Sequence, residues 1–384
     1  MRTDELDFEL PPDRIATAAA EPRDAARLMV VHRDSGKIEH ARVRDLPGLG
    51  IVAPGDLMAV NQTRVLPAYL TGVRTQTGGK VTGLFVQIVP GTHSDHTDGE
   101  TWDVMLESRG KLQPGEHIDL VPGRTDQDTP DAAVAQLELL EPRGRGEWRA
   151  RVTSDGPTDP PTLLGRVGQT PLPPYIRKAR QARQQPEVPG GDAQRYNTVF
   201  AEPAEAAASV AAPTAGLHFT PELLAGIDGL GVRRVPVTLH VGLGTFLPVQ
   251  TDTLEDHPIH SEWIDVPRET LEAIRQTRDA GRSILAVGTT TVRCLESLPA
   301  SLEGLDGFTD DTELFITPDR VASGDFTYRF TDHLLTNFHL PKSTLLAMVA
   351  ALPGVGLPRL LDWYRQAITD GYRFYSFGDA MLIV

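Results

Sequence analysis

The second half of the chain repeats one pattern, in which an apolar strand runs through a short polar turn into a helix. The segment SILAVGTTTVRCLESL (residues 283–298) passes from a strand through Gly288, Thr289 and Thr290 into a helix. The segment DHLLTNFHLPKSTLLAMVAAL (residues 332–352) repeats this form. Alternation of strands and helices predicts an α/β fold with a parallel sheet covered by helices. In such sheets ligands bind beyond the carboxyl ends of the strands, where these turns lie.

Residues 65–153 read differently, as a series of short β-rich segments. KVTGLFVQIV, TWDVMLES and EWRARVT are separated by clusters of glycine, proline and aspartate. This spacing predicts a small barrel or sandwich. The segment SDGPTDPP (residues 154–161) marks its end. We therefore predict one discontinuous α/β domain, residues 1–64 and 154–384, with residues 65–153 inserted into it.

Composition excludes several classes of protein. No apolar run approaches the ~18 residues needed to cross a bilayer. The acidic N-terminus lacks the apolar core of a signal peptide. Cys294 is the only cysteine in 384 residues, which excludes an internal disulfide and a zinc site built on thiolates. These features favour a protein of the reducing cytoplasm.

The formal net charge of −15 argues against broad electrostatic capture of nucleic acid. A local basic patch on an acidic body is still compatible with it. The segment LPPYIRKARQARQQ carries Arg177, Lys178, Arg180 and Arg183 without any acidic residue. Two interpretations stay open here, a patch that meets nucleic acid and an ordinary solvated helix face.

The turn PTAGLHFTPELL (residues 213–224) combines several features of a ligand-binding loop. Thr220 stands where a helix N-cap belongs, and a proline follows it at the first helical position. Gly216 allows the backbone to approach a ligand closely. His218 can exchange protons near neutral pH. The alternative is a capped helix with a satisfied histidine.

Two further segments place histidines near strand ends. TLHVGLGTF contains His240, Gly242 and Gly244, but it lacks the third glycine of a dinucleotide-binding turn. In HPIHSEW, an acid/base or ribose-hydroxyl role for His260 and Glu262 is favoured over metal binding. The segment PGTHSDHTDGE also holds histidines and aspartates, and a polar hairpin tip explains them better than a metal site.

The turn TNFHLPKSTLL is the most specific of the set. Asn337, His339, Lys342, Ser343 and Thr344 crowd the start of an apolar helix. The glycine spacing of a nucleotide-triphosphate loop is absent. The segment therefore predicts a helix terminus that binds a carboxylate or phosphate. In the final segment, YRFYSFGDAMLIV, the aspartate and its aromatic neighbours either cover a flat ring or form a last strand and turn.

Together these segments resemble the S-adenosylmethionine:tRNA ribosyltransferase-isomerase family of queuosine biosynthesis. The matching segments occur in family order over nearly the whole chain. They are EPRDAARL, NQTRVLPA, LPPYIRK, RYNTVFA, VAAPTAGLHFT, VTLHVGLGTF, IHSEW, GTTTVRCLES, LTNFHLPKSTLL and YRFYSFGDAMLI.

The resemblance implies a specific reaction and fold. Family members transfer and isomerise the ribosyl moiety of S-adenosylmethionine onto 7-aminomethyl-7-deazaguanine at the wobble position of tRNA. The products are epoxyqueuosine-tRNA, adenine and methionine. The family fold is an α/β domain with an inserted β-barrel, so we expect a mostly parallel sheet with flanking helices and a small all-β barrel. A non-catalytic tRNA-binding relative and another S-adenosylmethionine-dependent RNA-modifying enzyme are the alternatives.

This chemistry gives the polar residues expected roles. A sulfonium acidifies the neighbouring 5′ methylene, so a histidine or carboxylate can remove a proton there, and we expect His218 to be that base. The other candidate catalytic residues are His240, His260, Glu262, His339 and Asp379. The candidate substrate-binding residues are Thr214, Gly216, Thr220, Gly242, Gly244, Thr289, Thr290, Asn337, Lys342, Ser343 and Thr344.

The expected partners are S-adenosylmethionine and tRNA. Lys342 and Ser343 are candidates for binding the methionine carboxylate or a tRNA phosphate. Arg64, Arg177 and Lys178 are expected to contact the tRNA backbone. We expect no metal and no cofactor beyond S-adenosylmethionine, which is consumed as the ribosyl donor. We expect no contact with a membrane, and a monomer.

Overall fold

The computed structural model describes residues 1–89, 100–122, 133–144, 146–185, 189–203, 208–242, 249, 251–259 and 261–384. Its strands are β1 (Arg27–Val31), β2 (Ile38–Arg42), β3 (Leu57–Asn61), β4 (Tyr69–Arg74), β5 (Lys80–Ile88), β6 (Glu100–Ser108), β7 (His117–Leu120), β8 (Ala135–Gly144), β9 (Glu147–Ser154), β10 (Arg233–Leu239), β11 (Glu262–Val266), β12 (Ile284–Val287), β13 (Phe308–Thr312), β14 (His333–Asn337) and β15 (Ala380–Ile383). Its α-helices are α1 (Pro160–Val167), α2 (Pro174–Ala182), α3 (Pro189–Arg195), α4 (Pro221–Gly229), α5 (Arg268–Asp279), α6 (Thr289–Ser297), α7 (Pro318–Ala322), α8 (Thr344–Ala350) and α9 (Leu357–Thr369). Within these ranges no helix is long and apolar enough to cross a membrane.

Nine strands form one sheet in the order β13-β11-β10-β3-β12-β14-β15-β1-β2. The strands of its centre, β10-β3-β12-β14, are parallel. On one side β11 and β13 pair antiparallel, and on the other side β15 runs antiparallel to β14 and parallel to β1. The predicted α/β class is confirmed, with the parallel strands concentrated in the centre of a mixed sheet.

Both faces of the sheet are covered, which explains why its central strands are continuous apolar runs. All four residues of β12 are buried. On one face, Ile274 of α5, Val349 of α8 and Tyr364 of α9 belong to one core cluster. On the other face, Leu223 and Ile227 of α4 pack in a second cluster. Strands sandwiched in this way lose the alternation of a half-exposed strand.

Strands β4 to β9 form a closed antiparallel barrel in the order β4-β5-β6-β9-β8-β7. Its interior is filled by apolar side chains, among them the fully buried Trp102. Leu163 and Leu164 of α1 belong to the same core cluster, so this helix packs directly against the barrel. The predicted inserted barrel is thereby confirmed, and α1 leads the chain from it back to the sheet.

A glycine makes the tight junction between α1 and the barrel possible. Gly168 follows α1, and its amide donates to the Leu164 carbonyl at 2.7 Å. A Cβ atom at this position would lie 1.7 Å from the carbonyl oxygen of Pro67. A side chain therefore has no room unless the backbone before β4 moves.

We expect Gly168→Ala to lower the free energy of unfolding by roughly 1–3 kcal/mol, as overpacking does. The matched control is Gly165→Ala in α1, where nothing lies within 4 Å of the added methyl group. That change should raise stability by roughly 0.5–1 kcal/mol because it removes an exposed helical glycine. Denaturant titration of both variants measures the difference, and equal effects would contradict the tight junction.

Candidate functional site

A cavity of about 250 Å³ opens at the carboxyl ends of β10, β12 and β14. It lies where strands of an α/β sheet present their following turns to a ligand. Nine of the residues predicted from the sequence line it: Thr214, Glu262, Thr289, Thr290, Asn337, His339, Lys342, Ser343 and Thr344. The turns that follow separate strands are therefore brought together around one space.

One part of the cavity wall is aromatic. Tyr175, Tyr196 and Tyr375 line it, and none of them was predicted from the sequence as a site residue. The rings of Tyr175 and Tyr375 lie 4.6 Å apart between centroids, and the Tyr175 hydroxyl is 2.5 Å from Ser376 Oγ. Tyr375 has a φ of 74°, an uncommon backbone conformation for a residue with a side chain. The wall thus offers flat apolar surface with hydroxyl groups at its edge.

Asn337, the last residue of β14, connects the cavity to the buried His218. Its side-chain nitrogen lies 3.1 Å from His218 Nε2 and 3.0 Å from the Tyr375 carbonyl oxygen. His218 is 4% exposed and does not line the cavity. Burial lowers the pKa of its imidazole to about 4, so the ring is neutral at neutral pH. The residue expected to be the base thus lies behind the wall.

His339 presents an imidazole in the wall itself. Its Nε2 is 2.9 Å from Thr336 Oγ1, and its backbone amide donates to the Tyr364 hydroxyl at 3.0 Å. Desolvation lowers the pKa of this imidazole to about 4 as well. Because the ring is positioned by Thr336 and is uncharged at neutral pH, it can accept a proton from a bound molecule.

Glu262, at the start of β11, is held in a buried ion pair. The Arg293 guanidinium on α6 donates to Glu262 Oε2, and the Gly242 amide donates to Glu262 Oε1 at 3.1 Å. Burial lowers the pKa of Arg293 to about 10. Arg293 also lines the cavity and was missed from the sequence. Its spacing from Thr289 and Thr290 puts it on the same face of α6, which is the signal that marks it.

The turn before α8 holds Ser343 in a helix cap and Lys342 in an ion pair. Ser343 caps α8, since its Oγ accepts from the Leu346 amide at 3.2 Å. Lys342 has a φ of 56°, and its ammonium group lies 2.8 Å from Asp7 Oδ2 in the N-terminal segment. The ammonium group of Lys342 therefore lies at the cavity edge, where a bound anion would compete with Asp7 for it.

Several predicted residues are placed away from the cavity wall. Thr220 is the N-cap of α4, and its hydroxyl also donates to Asp24. Asp379 is 2% exposed and accepts from the backbone amides of Arg27 and Arg373, at 3.0 and 2.8 Å. A Cβ on Gly216 would lie 2.9 Å from the Thr198 methyl carbon. These groups close turns and join segments around the site.

His240 faces another part of the surface. Its ring stacks on Trp263 with 4.8 Å between centroids, and its Nδ1 is 2.9 Å from Thr63 Oγ1. Of the other predicted residues, Gly244 and His260 lie outside the described residues. So does the PGTHSDHTDGE tip from Pro90 to Gly99. The described residues contain no cluster of three or more potential metal ligands.

The basic residues of α2 divide into buried and exposed groups. Arg180 is buried and pairs with Asp192 at 2.6 Å, so it is structural. The Arg177 guanidinium lies over the Tyr69 ring of the barrel, 3.6 Å from its centroid. Lys178 is exposed. Arg64 donates to the backbone carbonyl of Glu202. Arg177 and Lys178 thus lie on a helix that begins at the cavity and touches the barrel.

The chain is similar to proteins of one family. The model of the queuosine biosynthesis protein family matches residues 3–383. An S-adenosylmethionine:tRNA ribosyltransferase-isomerase of Heliobacterium modesticaldum is 41% identical over 382 residues, covering 98% of each chain. One from Synechococcus elongatus is 42% identical over 382 residues, covering 99% of this chain and 95% of its own. The crystal structure of S-adenosylmethionine tRNA ribosyltransferase from Thermotoga maritima is 31% identical, covers 99% of this chain and 100% of that chain, and gives a TM-score of 0.51.

The low pKa of His218 predicts how the free energy of unfolding depends on pH. Unfolded histidine binds a proton below its ordinary pKa of 6.5, whereas folded His218 does so only near 4. The stability of the native state should therefore fall as pH drops from 6.5 to 4, with about 3 kcal/mol due to this residue. His218→Asn should show a shallower loss in denaturant titrations across that range. Parallel curves for the two proteins would contradict a neutral buried imidazole.

Proposed function

The chain belongs to the queuosine biosynthesis protein family, and we propose that the cavity described above is where it binds S-adenosylmethionine. The protein is an S-adenosylmethionine:tRNA ribosyltransferase-isomerase. It transfers and isomerises the ribosyl moiety of S-adenosylmethionine onto 7-aminomethyl-7-deazaguanine at the wobble position of tRNA. Epoxyqueuosine-tRNA, adenine and methionine are the products.

The observation that supports binding of S-adenosylmethionine in this cavity is that the cavity has both an aromatic and a polar part of its wall. Tyr175 and Tyr375 provide surface for a flat base. Another part of the wall is polar and consists of Thr289 and Thr290, the first residues of α6. The N-cap of this helix is Gly288, which makes no side-chain hydrogen bond to the helix. The free amides of such a helix start favour an anionic group. S-adenosylmethionine has both parts, a purine and an amino-acid carboxylate.

The positive groups suit the amino-acid end of the substrate. Lys342 lies at the cavity edge and is balanced by Asp7. We place the methionine carboxylate toward Lys342 and the first turn of α6, where it would replace Asp7 as the partner of the ammonium group. Ser343 acts indirectly in this arrangement because its hydroxyl already caps α8.

His339 is our candidate for the base. Among the described histidines predicted to be catalytic, it is the one whose side chain lines the cavity. The reaction breaks the bond between C5′ of the sulfonium substrate and one of its hydrogens. The electron pair stays on carbon, and the proton goes to the imidazole nitrogen. The neutral state of His339 at neutral pH is the state that this role requires.

The tRNA must bring its wobble base to the cavity, and α2 offers a path. This helix contributes Tyr175 to the cavity wall and exposes Lys178 one turn later. The body of the protein is acidic, so a few local cations must carry the contact with phosphate. We propose that Arg177 and Lys178, together with Arg64, contact the backbone of the anticodon arm.

The reaction can be followed with purified protein, S-adenosylmethionine and an anticodon stem-loop bearing the aminomethyl-deazaguanine. Chromatography should show release of adenine and methionine, and the RNA should gain the mass of the transferred group. We expect His339→Ala to lower kcat by roughly 10²–10⁴-fold, the usual contribution of a general base. His32→Gln is the control and should retain wild-type rates, since His32 contacts Glu39 at the surface, away from the cavity. A His339→Ala variant with wild-type kcat would refute the assignment, and S-adenosylhomocysteine among the products would refute the reaction.

Binding of the stem-loop tests the tRNA path. Lys178→Ala should weaken RNA binding and reduce the slope of log affinity against log salt concentration by about 1, because one phosphate contact is lost. Lys37→Ala is the matched control, since Lys37 is a surface lysine paired with Glu39. Fluorescence anisotropy at several salt concentrations measures both. Equal slopes for wild type and Lys178→Ala would contradict the path along α2.

A further inference from the structure

The amide nitrogen of the Asn337 side chain makes hydrogen bonds within the protein, and among the described atoms its oxygen makes none. Its amide nitrogen has two hydrogens, and two acceptors lie within reach, His218 Nε2 at 3.1 Å and the Tyr375 carbonyl at 3.0 Å. The reverse orientation would place the amide oxygen against the Tyr375 carbonyl, so that two acceptors would face each other. The orientation of the amide is therefore fixed by its surroundings.

The oxygen of this amide is left without a partner. Asn337 is 3% exposed, and among the described atoms its Oδ1 makes no hydrogen bond. Leaving such an acceptor buried and unpaired is unfavourable. Asn337 lines the cavity, so a bound molecule can supply the missing donor. An acceptor maintained at this cost indicates a ligand contact.

A second buried polar group lies in the same wall. Tyr196 is fully buried, and its hydroxyl is near Ser376 and the Ala212 backbone without a hydrogen bond of normal geometry. Tyr196 thus has polar neighbours within the chain, whereas Asn337 Oδ1 has none among the described atoms. Buried polar groups in native structures are nearly always paired, so the unpaired Asn337 oxygen points to a missing ligand.

The surroundings select the chemical class of the donor. A cationic donor such as an ammonium group needs a negative charge beside it. Among the described residues that line the cavity, Glu262 is the one carboxylate, and it is paired with Arg293. Asn337 instead contacts the backbone carbonyl of Tyr375, and the ring of Tyr375 lies against that of Tyr175. A neutral N–H group on a flat ring fits this place.

We infer that the 6-amino group of the adenine of S-adenosylmethionine donates to Asn337 Oδ1, and that His218 is the positioning residue that holds the amide in this orientation. The inference rests on the proposed function, since it divides the same cavity into an adenine end and a methionine end. It assigns His218 a task at the substrate without a proton transfer. His218 Nε2 accepts from Asn337, so the imidazole carries its proton on Nδ1.

The test compares binding of S-adenosylmethionine with that of its analogue in which hydrogen replaces the 6-amino group, by isothermal titration calorimetry. Wild-type protein should bind the analogue about tenfold more weakly, which corresponds to one hydrogen bond of about 1.4 kcal/mol. Asn337→Ala should bind the two ligands equally. Asn337→Ser, smaller than the native residue but still polar, should also lose the preference and serves if the alanine variant does not fold.

Two further variants separate positioning from general damage. His218→Leu removes the acceptor that orients the amide, so the tenfold preference should fall. His218→Gln offers a carbonyl oxygen to Asn337 and should restore part of it. A purely structural His218 would weaken both ligands alike in both variants. Lys342→Ala, at the methionine end, should weaken both ligands and keep their ratio.

The outcomes distinguish this inference from the function on which it rests. A wild-type protein that releases adenine from S-adenosylmethionine but binds both ligands equally overturns the adenine contact alone. A tenfold preference that survives in Asn337→Ala also overturns it. A protein that binds neither ligand and releases no adenine in the presence of the modified stem-loop overturns the proposed function, and the adenine contact with it.

Discussion

The carboxyl edge of the sheet is held together by the side-chain amides of two buried asparagines. Asn61, at the end of β3, donates to the Leu239 carbonyl and to Thr290 Oγ1, and its oxygen accepts from the amides of Thr63 and Leu239. It thereby ties β3 to β10 and α6. Asn337, at the end of β14, ties its strand to the turn that holds His218 and to the segment before β15. These two residues replace the backbone pairing that parallel strands lose where they end.

The difference between the two asparagines separates structure from function. Both are buried, and both sit at the last position of a parallel strand. Asn61 uses its nitrogen and its oxygen within the protein, whereas Asn337 uses only its nitrogen. A residue that served the fold alone would gain from a partner for its oxygen, or from replacement by an apolar side chain. The orphaned oxygen belongs to a residue that lines the cavity, which is why we connect it with substrate.

The architecture could be predicted from the sequence more fully than the side-chain contacts of the cavity could. The runs of apolar residues in β12 and β14 and the turns that follow them are local patterns, and the structure places these strands side by side. The closed barrel followed from short alternating segments. Strand β13, FTDDT, is mostly exposed and polar, so no pattern marks it. Tyr175 and Tyr196 lie far in sequence from the turns after β12 and β14, and only tertiary packing brings them to the cavity. His218 and His339 stand in equally polar turns, and the sequence has no signal for which ring faces the cavity.

The low pKa of His339 is compatible with a base that acts on a sulfonium. Burial disfavours the charged form of an imidazole and so lowers its pKa to about 4. The substrate carries its positive charge on sulfur before the proton moves, and the imidazolium carries it afterwards. The step therefore shifts one positive charge over a short distance and creates none. Because the same desolvation acts on both cations, the acidity of the 5′ methylene rises as the basicity of His339 falls, and the difference between them changes little. Burial of the imidazole thus changes the free energy of the proposed proton transfer little. It also keeps His339 unprotonated when the substrate arrives.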